Sequence, residues 1–469
     1  MHRKTLTVLS ACTLLLAAAC GSNGSGTSSN SDSATGGTSN QGAPAATQAP
    51  AKANDTVKVW TYPIYATYED DLKVLIENIE KQYPWIKVEY EMLSWAEGPQ
   101  KFDLALNAGS PPDLYFHSVD GAYLDTGLAV QLDPYMTDEI RADYKEGVLE
   151  LGQINGGQYG LPIYTYQWAW GGNKRILEEA GIDYLSIQQN GWTWSEFLEI
   201  AEKLTTTLPD GGKRYAITTD GTSLDFIELL TRANGIPDVL NTDGEFQWGD
   251  ERILETMKFI ETLIQKGYMP AETGALTPAQ RTEMLYNGTT ALISKAIPYY
   301  DVTIANRNAD IDAGKIQGEK IEFVLLPVPH GDNQPEASIM GAEGYVMFNQ
   351  KKDQGEEHRQ NVFLVMEGLS GAEAGMASNE LVLPFVRYSQ EKLFEGKGKG
   401  TENTIATAKR LAEVMAMPVT LNLDVEKAAQ QKQFKEQVVK PNIQALYAGE
   451  KTAEEVAEAY KSQASRFFR

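Results

Sequence analysis

The chain has 469 residues, of which 42% are hydrophobic and 9% are aromatic, so it is long enough to build more than one buried core. Its 64 acidic residues outnumber the 41 basic ones and give a net charge of -23, which argues against nucleic acid and anionic lipid as partners. No apolar run after residue 20 has the length that is needed to cross a bilayer.

The N-terminus has the pattern of an export signal. His2, Arg3 and Lys4 precede an apolar run that ends in small residues directly before Cys20. We expect residues 1–19 to be a signal peptide and Cys20 to be lipidated, because the small residues before it resemble the lipobox of bacterial lipoproteins. A diacylglycerol-modified cysteine carries more than one acyl chain, which is enough for stable anchoring.

The segment after the signal is typical of a disordered tether. Residues 20–53 are rich in Gly, Ser, Thr and Asn and cannot supply a core. As a flexible coil they would span roughly 30 Å. Cys12 leaves with the signal, so the mature chain keeps one cysteine and forms no disulfide within itself.

The body of the chain begins with alternating strand and helix patterns. Residues 57–61 and 86–92 have the pattern of strands, and residues 72–83 between them have helical spacing. A further helix ends at Gly109 and leads into the apolar residues 113–116. This order predicts an α/β fold with an open, mainly parallel sheet that is covered by helices.

Later segments follow the same pattern. Thr193 and Glu196 have the spacing of a capping box, and Trp192 and Phe197 have that of a hydrophobic staple, which indicates a structural role for Trp192. The role of Trp194 stays open. Further helices are expected near residues 251–266, 357–369 and 452–468.

Recognisable catalytic and nucleotide-binding motifs are lacking in the sequence. His117, His330 and His358 remain after the signal and are widely spaced, and neither a nucleophile elbow nor a Walker motif occurs. A pair of carboxylates of the glycosidase type stays open, because acidic residues are plentiful. We expect a protein that is not an enzyme and needs no cofactor, with a surface-tethered glycoside hydrolase as the alternative.

One segment resembles a metal-binding loop. Asn308, Asp310, Asp312 and Glu319 follow the spacing of ligands in an EF-hand calcium loop, but Ala313 stands where the turn needs glycine. An acidic surface loop is therefore the preferred interpretation. We expect no metal site, with these four residues as a weak candidate.

Aromatic residues gather at and just after predicted strands. In Y-T-Y-Q-W-A-W, Tyr164, Tyr166, Trp168 and Trp170 alternate, which places all four rings on one face of an extended strand. Ligands bind at the carboxyl ends of strands in doubly wound sheets. Several rings at one end of a sheet favour a binding site over packing alone.

Several segments, in order along nearly the whole mature body, carry a resemblance to a known family. They include L-N-A-G-S-P-P-D-L-Y-F, G-G-Q-Y-G-L-P-I, N-K-R-I-L-E-E-A-G-I-D and V-L-L-P-V-P-H-G. The chain resembles the family 1 extracellular solute-binding proteins of ABC importers, the maltose-binding-protein-like branch. The resemblance implies a two-lobed, type II periplasmic-binding-protein-like fold, in which each lobe is a mainly parallel sheet flanked by helices and chain crossings form a hinge.

The resemblance also implies how the chain divides between the lobes. The N-lobe is expected to contain residues 54–162 and 298–345, and the C-lobe residues 163–297 and 346–469. Ligand is expected between the lobes, since domain interfaces favour binding sites.

The ligand contacts follow from the same resemblance. Tyr166 matches a contact position of the family, Trp168 is its neighbour, and Trp170 is expected in the core. The expected ligand-binding residues are Trp60, Tyr62, Tyr65, Trp95, His117, Asp120, Tyr166, Trp168, Ser223, Asp225, Tyr299, Tyr300 and Glu343.

The chemistry of these residues favours a sugar. Tyr and Trp rings stack on the apolar faces of a pyranose, and carboxylates accept hydrogen bonds from its hydroxyls. Arginine, which an anionic ligand would favour, is missing from the set, so we expect a neutral saccharide.

We therefore expect a monomeric receptor on the extracellular face of the cell membrane, held there by its lipid anchor alone. It would capture a mono- or oligosaccharide and deliver it to the transmembrane subunits of an ABC permease, which a separate ATPase drives. A sugar sensor or adhesin without a transport role is a second alternative.

Overall fold

The computed structural model of the chain describes residues 53–418 and 423–468. The predicted signal peptide, the predicted lipidation site Cys20 and almost all of the predicted tether lie outside the described residues.

The strands of the described chain, in order, are β1 (Asp55–Thr61), β2 (Ile86–Met92), β3 (Leu114–His117), β4 (Gln153–Ile154), β5 (Gly157–Gln158), β6 (Gly160–Gln167), β7 (Ala169–Asn173), β8 (Thr206–Thr207), β9 (Lys213–Thr218), β10 (Thr290–Ala296), β11 (Phe323–Leu326), β12 (Ala337–Met347) and β13 (Met415–Pro418).

The helices are α1 (Tyr68–Gln82), α2 (Gly98–Ala108), α3 (Asp138–Asp143), α4 (Lys174–Glu179), α5 (Tyr184–Asn190), α6 (Trp194–Leu204), α7 (Asp225–Ala233), α8 (Glu251–Gln265), α9 (Pro278–Tyr286), α10 (Tyr299–Asp312), α11 (Glu356–Ser370), α12 (Met376–Leu381), α13 (Tyr388–Phe394), α14 (Glu402–Leu411), α15 (Val425–Phe434), α16 (Lys440–Tyr447) and α17 (Ala453–Gln463). Within the described ranges, none of these helices has both the length and the apolar character that a membrane span requires.

Two sheets of mixed strand direction organise the fold. In the first sheet the order is β13-β12-β3-β1-β2, and β6 also pairs with β12. The pairs β1–β2 and β1–β3 are parallel, as the alternation of strands and helices predicts, whereas β12 is antiparallel to both β3 and β6. In the second sheet the order is β11-β7-β10-β9-β8, and only the pair β9–β10 is parallel. The α/β class is confirmed, with mixed rather than mainly parallel sheets.

Each sheet has its own buried core. The first core joins strand residues such as Val57 with residues of α1 and α11, for example Leu72 and Val362. The second core joins Trp170 of β7 with residues of α6 to α8 and of α16 and α17, for example Phe197. The described chain therefore has two large apolar cores, as its length predicts, and a smaller cluster on the second sheet that includes Ile304 and Phe323.

The start of α6 confirms the predicted capping box. The Thr193 side chain accepts from the Glu196 amide, and the Glu196 side chain accepts from the Thr193 amide. Trp192 packs edge-on against Phe197 at a centroid distance of 5.2 Å. Trp194, whose role the sequence leaves open, is buried and stacks on a phenylalanine of α8, so it is structural.

Some segments pack on a different sheet from the one that the predicted lobe ranges imply. Ile304 of α10 and Phe323 of β11 pack on the second sheet, although residues 298–345 were expected with the first. Val362 and Val386 belong to the first core, although residues 346–469 were expected with the second. An amphipathic pattern predicts that a helix has a buried face, but it does not specify which of two sheets covers that face.

A buried polar network ties the start of β1 to α11. His358 Nδ1 lies 2.9 Å from the Asp55 carboxylate, and His358 Nε2 lies 3.3 Å from that of Asp113. Burial by itself lowers the pKa of His358, but its hydrogen bonds to the two carboxylates and their charges outweigh that effect. The pKa of His358 therefore lies above its ordinary value of 6.5.

We predict that His358→Gln destabilises the fold more in acid than in base. Because the folded-state pKa of His358 is raised, its stabilising contribution is complete below about pH 6.5 and is lost as the pH rises through the raised value. Urea unfolding should show a loss of about 1–3 kcal/mol near pH 6 and a smaller loss near pH 9. Val362→Ala, a buried change in the same helix, should cost the same at both pH values. Equal losses for His358→Gln at both pH values would contradict the prediction.

Candidate functional site

The antiparallel pair β6–β12 places the central polar groups of the site. In its register Tyr164 lies opposite Glu343 and Tyr166 lies opposite Gly341, so each pair shares one face of the sheet. The Tyr166 ring packs directly over Gly341, where an added Cβ atom would lie 2.4 Å from the ring. The glycine therefore makes room for the tyrosine ring.

Glu343 is a partly buried carboxylate on this strand pair. The Tyr164 hydroxyl donates a hydrogen bond to it, and His117 of the neighbouring strand β3 is one of the groups whose charge acts on it. Burial raises the pKa of Glu343 above its ordinary value, while His117, the Tyr164 hydrogen bond and Lys295 oppose the shift. A polar ligand that donated a hydrogen bond to this carboxylate would relieve the cost of its burial.

Trp168 stands where the chain passes from the first sheet to the second. It lies between the last residue of β6 and the first of β7, and it packs against both cores. Its ring lies 5.0 Å from that of Tyr166. Tyr164 and Tyr166 belong to the first core and Trp170 to the second, so the expectation that all four rings share one face is wrong.

The second sheet contributes an ion pair to the same place. Lys295 Nζ lies 4.9 Å from the centre of the Trp168 ring and forms an ion pair with Asp225 at the start of α7. The Ser223 hydroxyl donates to Asp225 at 3.0 Å. Burial by itself would raise the pKa of Asp225, but Lys295 and the Ser223 hydrogen bond outweigh it, and the pKa is lowered.

Groups of the two sheets meet electrostatically at this point. Lys295 of β10 in the second sheet and Asp225 of α7 are both among the charges that act on Glu343 of the first sheet. A second ion pair lies beside them, where buried Arg281 donates to Asp220 at 2.7 Å. We call Tyr164, Tyr166, Trp168, Glu343, His117, Asp225, Lys295 and Ser223 the central cluster.

Other predicted residues form a second aromatic group on the first sheet. Tyr62 is fully buried, stacks under Trp95 at 4.2 Å and shares a hydrogen bond of 2.6 Å with the Tyr115 hydroxyl. Burial raises the pKa of Tyr62 to about 12, and the charge of Glu343 adds to the shift. The Tyr115 ring lies 5.7 Å from the ring of His117, so this group adjoins the central cluster. Trp95 is 44% exposed and offers a free face, whereas the Trp60 ring is covered by the Lys101 ammonium at 4.6 Å.

Four predicted residues have mainly structural contacts. Tyr65 is buried in the first core, and the Tyr299 hydroxyl accepts from the Ala66 amide at 2.9 Å. Tyr300 packs on the second sheet and accepts from Arg281 at 2.8 Å. Tyr299 and Tyr300 begin α10. Asp120 caps a short helical turn by accepting from the Ala122 amide.

The weak metal candidate does not come together. Asn308, Asp310 and Asp312 lie on α10, and Glu319 lies beyond it. Asp310 and Asp312 pair with Lys315 and Lys320, Glu319 pairs with Arg175, and Asn308 bonds the backbone of Ile321. Among the described residues, no group of three or more His, Cys, Asp or Glu side chains could hold a metal ion.

Sequence reasoning missed Lys295 and the role of Tyr164. Lys295 has φ 55°, and the register of β10 against β7 shifts next to it. Such an irregularity redirects a side chain, and the sequence A-L-I-S-K-A indicates a strand without revealing it. Tyr164 belongs to the aromatic motif, but only the β6–β12 register reveals its carboxylate partner.

A family model and several known proteins are similar to this chain in sequence. A family model described as bacterial extracellular solute-binding protein matches residues 39–375. A protein of Brucella abortus (strain 2308) is 23% identical over 312 residues, which are 65% of this chain and 70% of that protein. The diacetylchitobiose binding protein DasA of Streptomyces coelicolor is 28% identical over 153 residues, which are 32% of this chain and 35% of DasA.

Solved structures share the fold at low sequence identity. The ABC substrate-binding protein Lmo0181 of Listeria monocytogenes, in complex with cycloalternan, is 15% identical, with a TM-score of 0.69 over 88% of this chain and 98% of that one. Maltose-bound MalE3 of T. maritima is 17% identical, with a TM-score of 0.69 over 88% and 99%. These likenesses show a two-lobed α/β fold.

We predict that Glu343→Gln stabilises the unliganded protein at neutral and alkaline pH. Because burial raises the folded-state pKa of Glu343, folding stability falls as the pH rises from the ordinary value of 4.5 through the raised value, and the penalty persists above it. Glutamine keeps the acceptor for Tyr164 and removes the charge. The melting temperature should rise by roughly 2 °C near pH 8 and change little near pH 4.

A matched control is Glu199→Gln on the exposed face of α6, which should change the melting temperature equally at both pH values. A lower melting temperature for Glu343→Gln near pH 8 would show that the charged form is favoured and would contradict the prediction.

Proposed function

Because the chain belongs to the bacterial extracellular solute-binding protein family, we propose that it captures a neutral mono- or oligosaccharide between its two lobes and delivers it to an ABC permease. In this proposal the protein carries out no bond chemistry. Its work is to bind the sugar and to close around it.

The observation that carries the proposal is the composition of the central cluster. The indole of Trp168 packs on both cores, and the Lys295 ammonium lies over its ring and pairs with Asp225. The charges of Lys295 and Asp225 also act on Glu343. An aromatic ring flanked by charged hydrogen-bonding groups is suited to a pyranose, which has apolar C–H faces and hydroxyls at its rim. The exposed ring of Trp95 supplies a further stacking surface.

The charges of the cluster support a neutral ligand. Lys295 pairs with Asp225, and Arg281 pairs with Asp220, so both cations are already neutralised. An anionic sugar would meet the Glu343 carboxylate, and neither Lys295 nor Arg281 is free of its own carboxylate partner to offset that charge. A neutral sugar needs no further counter-charge.

The ligands of similar proteins support a saccharide. The similar structures include complexes with cycloalternan and with maltose, and the relative in Streptomyces coelicolor binds diacetylchitobiose. The ligands named for these three proteins differ, which favours a panel of several saccharides as the test.

We predict that the protein binds at least one sugar of a panel of maltotriose, laminaribiose, diacetylchitobiose and mannotriose. Binding of the folded state alone raises the unfolding free energy by about 2.7 kcal/mol at 100 times Kd, so thermal shift followed by calorimetry detects it. Trp168→Leu should weaken binding about tenfold or more, because the ring surface and its polar edge are lost.

The control is Tyr388→Ala, which removes an exposed ring of α13 outside the cluster and should leave Kd unchanged. Chromatography of the incubated sugars should show no products. Turnover of the sugar would instead support the tethered glycoside hydrolase, and absence of binding across the panel and other neutral sugars would refute the receptor.

We further propose that the mature protein is a monomer, lipid-anchored through Cys20 at the extracellular face of the membrane. The support comes from the export signal and the small residues before Cys20 in the sequence. A relative in Streptomyces antibioticus, 22% identical over 268 residues, is named as a lipoprotein.

We predict that Cys20→Ser abolishes incorporation of labelled fatty acid and moves the protein from the membrane fraction to the medium. Without its acyl chains the protein loses its only stable membrane attachment in this proposal. Cys12→Ser is the matched control, because Cys12 lies within the predicted signal and should leave labelling unchanged. Retention of label in Cys20→Ser would refute the anchor.

A further inference from the structure

Lys295 holds a backbone conformation that lysine adopts at a cost. Its φ of 55° lies in the left-handed region, which favours glycine and, among other residues, asparagine. The register of β10 against β7 shifts between Ile293 and Ala296, so Lys295 sits in an irregular part of an otherwise regular strand. Strained residues of this kind are concentrated at functional sites.

The strained backbone of Lys295 places its ammonium next to both the Trp168 ring and the Asp225 carboxylate. The ammonium lies 4.9 Å from the centre of the Trp168 ring and pairs with the Asp225 carboxylate. The side chain of Lys295 is 24% exposed and that of Asp225 is 37% exposed, so solvent reaches both partners. The nearby pair of Arg281 and Asp220 is sealed by comparison, with side chains only 5% and 3% exposed.

We propose that Lys295 and Asp225 together recognise a vicinal diol on the sugar ring that lies next to Trp168. The Lys295 ammonium donates to the oxygen of one hydroxyl, and the Asp225 carboxylate accepts from the hydroxyl on the adjacent carbon. This inference rests on the proposed function and adds a specificity-determining residue to it.

The chemistry of the pair fits this role. An ammonium only donates and a carboxylate only accepts, whereas a hydroxyl does both, so adjacent hydroxyls complement adjacent members of the pair. The two partners neutralise each other, and the charge of Lys295 is secure, because Asp225 and Asp220 raise its pKa against the effect of burial. The Ser223 hydroxyl donates at 3.0 Å to the same Asp225 oxygen that Lys295 contacts, and so helps to orient the carboxylate.

Specificity follows from what happens when one hydroxyl is absent. A deoxy sugar would leave either the ammonium or the carboxylate partly desolvated and without the sugar hydroxyl that it would otherwise bind. This loss costs much more binding free energy than the loss of an apolar contact. The pair should therefore distinguish sugars by hydroxyl pattern, while the rings of the cluster supply less selective contact area.

The test uses the full mature protein and the panel sugar that the wild type binds most tightly, together with the set of its monodeoxy analogues. Lys295→Asn removes the ammonium in a residue that accepts positive φ, and Lys295→Arg keeps the charge. We expect calorimetry to show about 10- to 100-fold weaker binding for Lys295→Asn and recovery of most of that loss in Lys295→Arg. The melting temperature of unliganded Lys295→Asn should stay within about 2 °C of the wild type.

The analogues identify the hydroxyls. One monodeoxy analogue should bind the wild type more weakly than the parent sugar does. The Lys295→Asn variant should bind this analogue and the parent sugar with equal affinity. The analogue that lacks the neighbouring hydroxyl should show the same insensitivity with Asp225→Asn. Lys213→Asn is the matched control, because Lys213 also covers an aromatic ring of the second sheet, that of Tyr215 at 5.4 Å, but lies outside the central cluster.

The outcomes separate this inference from the function on which it rests. If the wild type binds no saccharide, the proposed function fails and the inference fails with it. If the wild type binds and Lys295→Asn binds equally well, the inference alone is overturned. It is also overturned if Lys295→Asn and Lys295→Arg both lose binding and both have a lowered melting temperature. A third contradicting result is that the hydroxyls missing from the two analogues are on carbons that are not adjacent.

Discussion

The register between β6 and β12 is the constraint on which the site depends. It sets Tyr164 opposite Glu343 and leaves the face of Gly341 open for the Tyr166 ring. At Gly344 the two strands approach so closely that a Cβ atom would lie 2.0 Å from the Leu161 carbonyl oxygen, so only glycine fits without a backbone shift. A slip of one residue would turn both tyrosines to the opposite face and separate Glu343 from its hydrogen-bond donor.

Of the carboxylates of Asp220, Asp225 and Glu343, the first two have a cationic partner among the described residues and that of Glu343 does not. Asp225 has Lys295 as its partner, and Asp220 has Arg281. Glu343 has a hydroxyl donor but no cation within ion-pair distance among the described residues, and burial raises its pKa. A carboxylate with spare acceptor capacity and an unfavourable charged form gains most from a ligand that donates hydrogen bonds. The unliganded protein is therefore less stable because of the buried Glu343 charge, and a bound ligand would recover that stability.

The sequence predicts those parts of the fold that local patterns specify. The bounds of β2 are those of the alternating segment 86–92, and the capping box at Thr193 is present with both hydrogen bonds. Period and capping depend on neighbouring residues, so a single sequence contains them. The sheet on which α10 or α11 packs depends on contacts across the chain, and both were expected on the wrong sheet. The conformation of Lys295 is set by strand pairing and carries no local signal.

The aromatic motif of residues 164–170 shows how the same limit affects the site. Alternation predicts a shared face only while a strand is continuous, and here β6 ends before Trp168 and β7 begins after it. The two tyrosines remain with the first core and Trp170 enters the second. Trp168, alone among the four, packs on both cores and is covered on one face by an ammonium that a ligand can also reach. The break in the pattern therefore identifies the ring that is best placed to contact a ligand from either sheet.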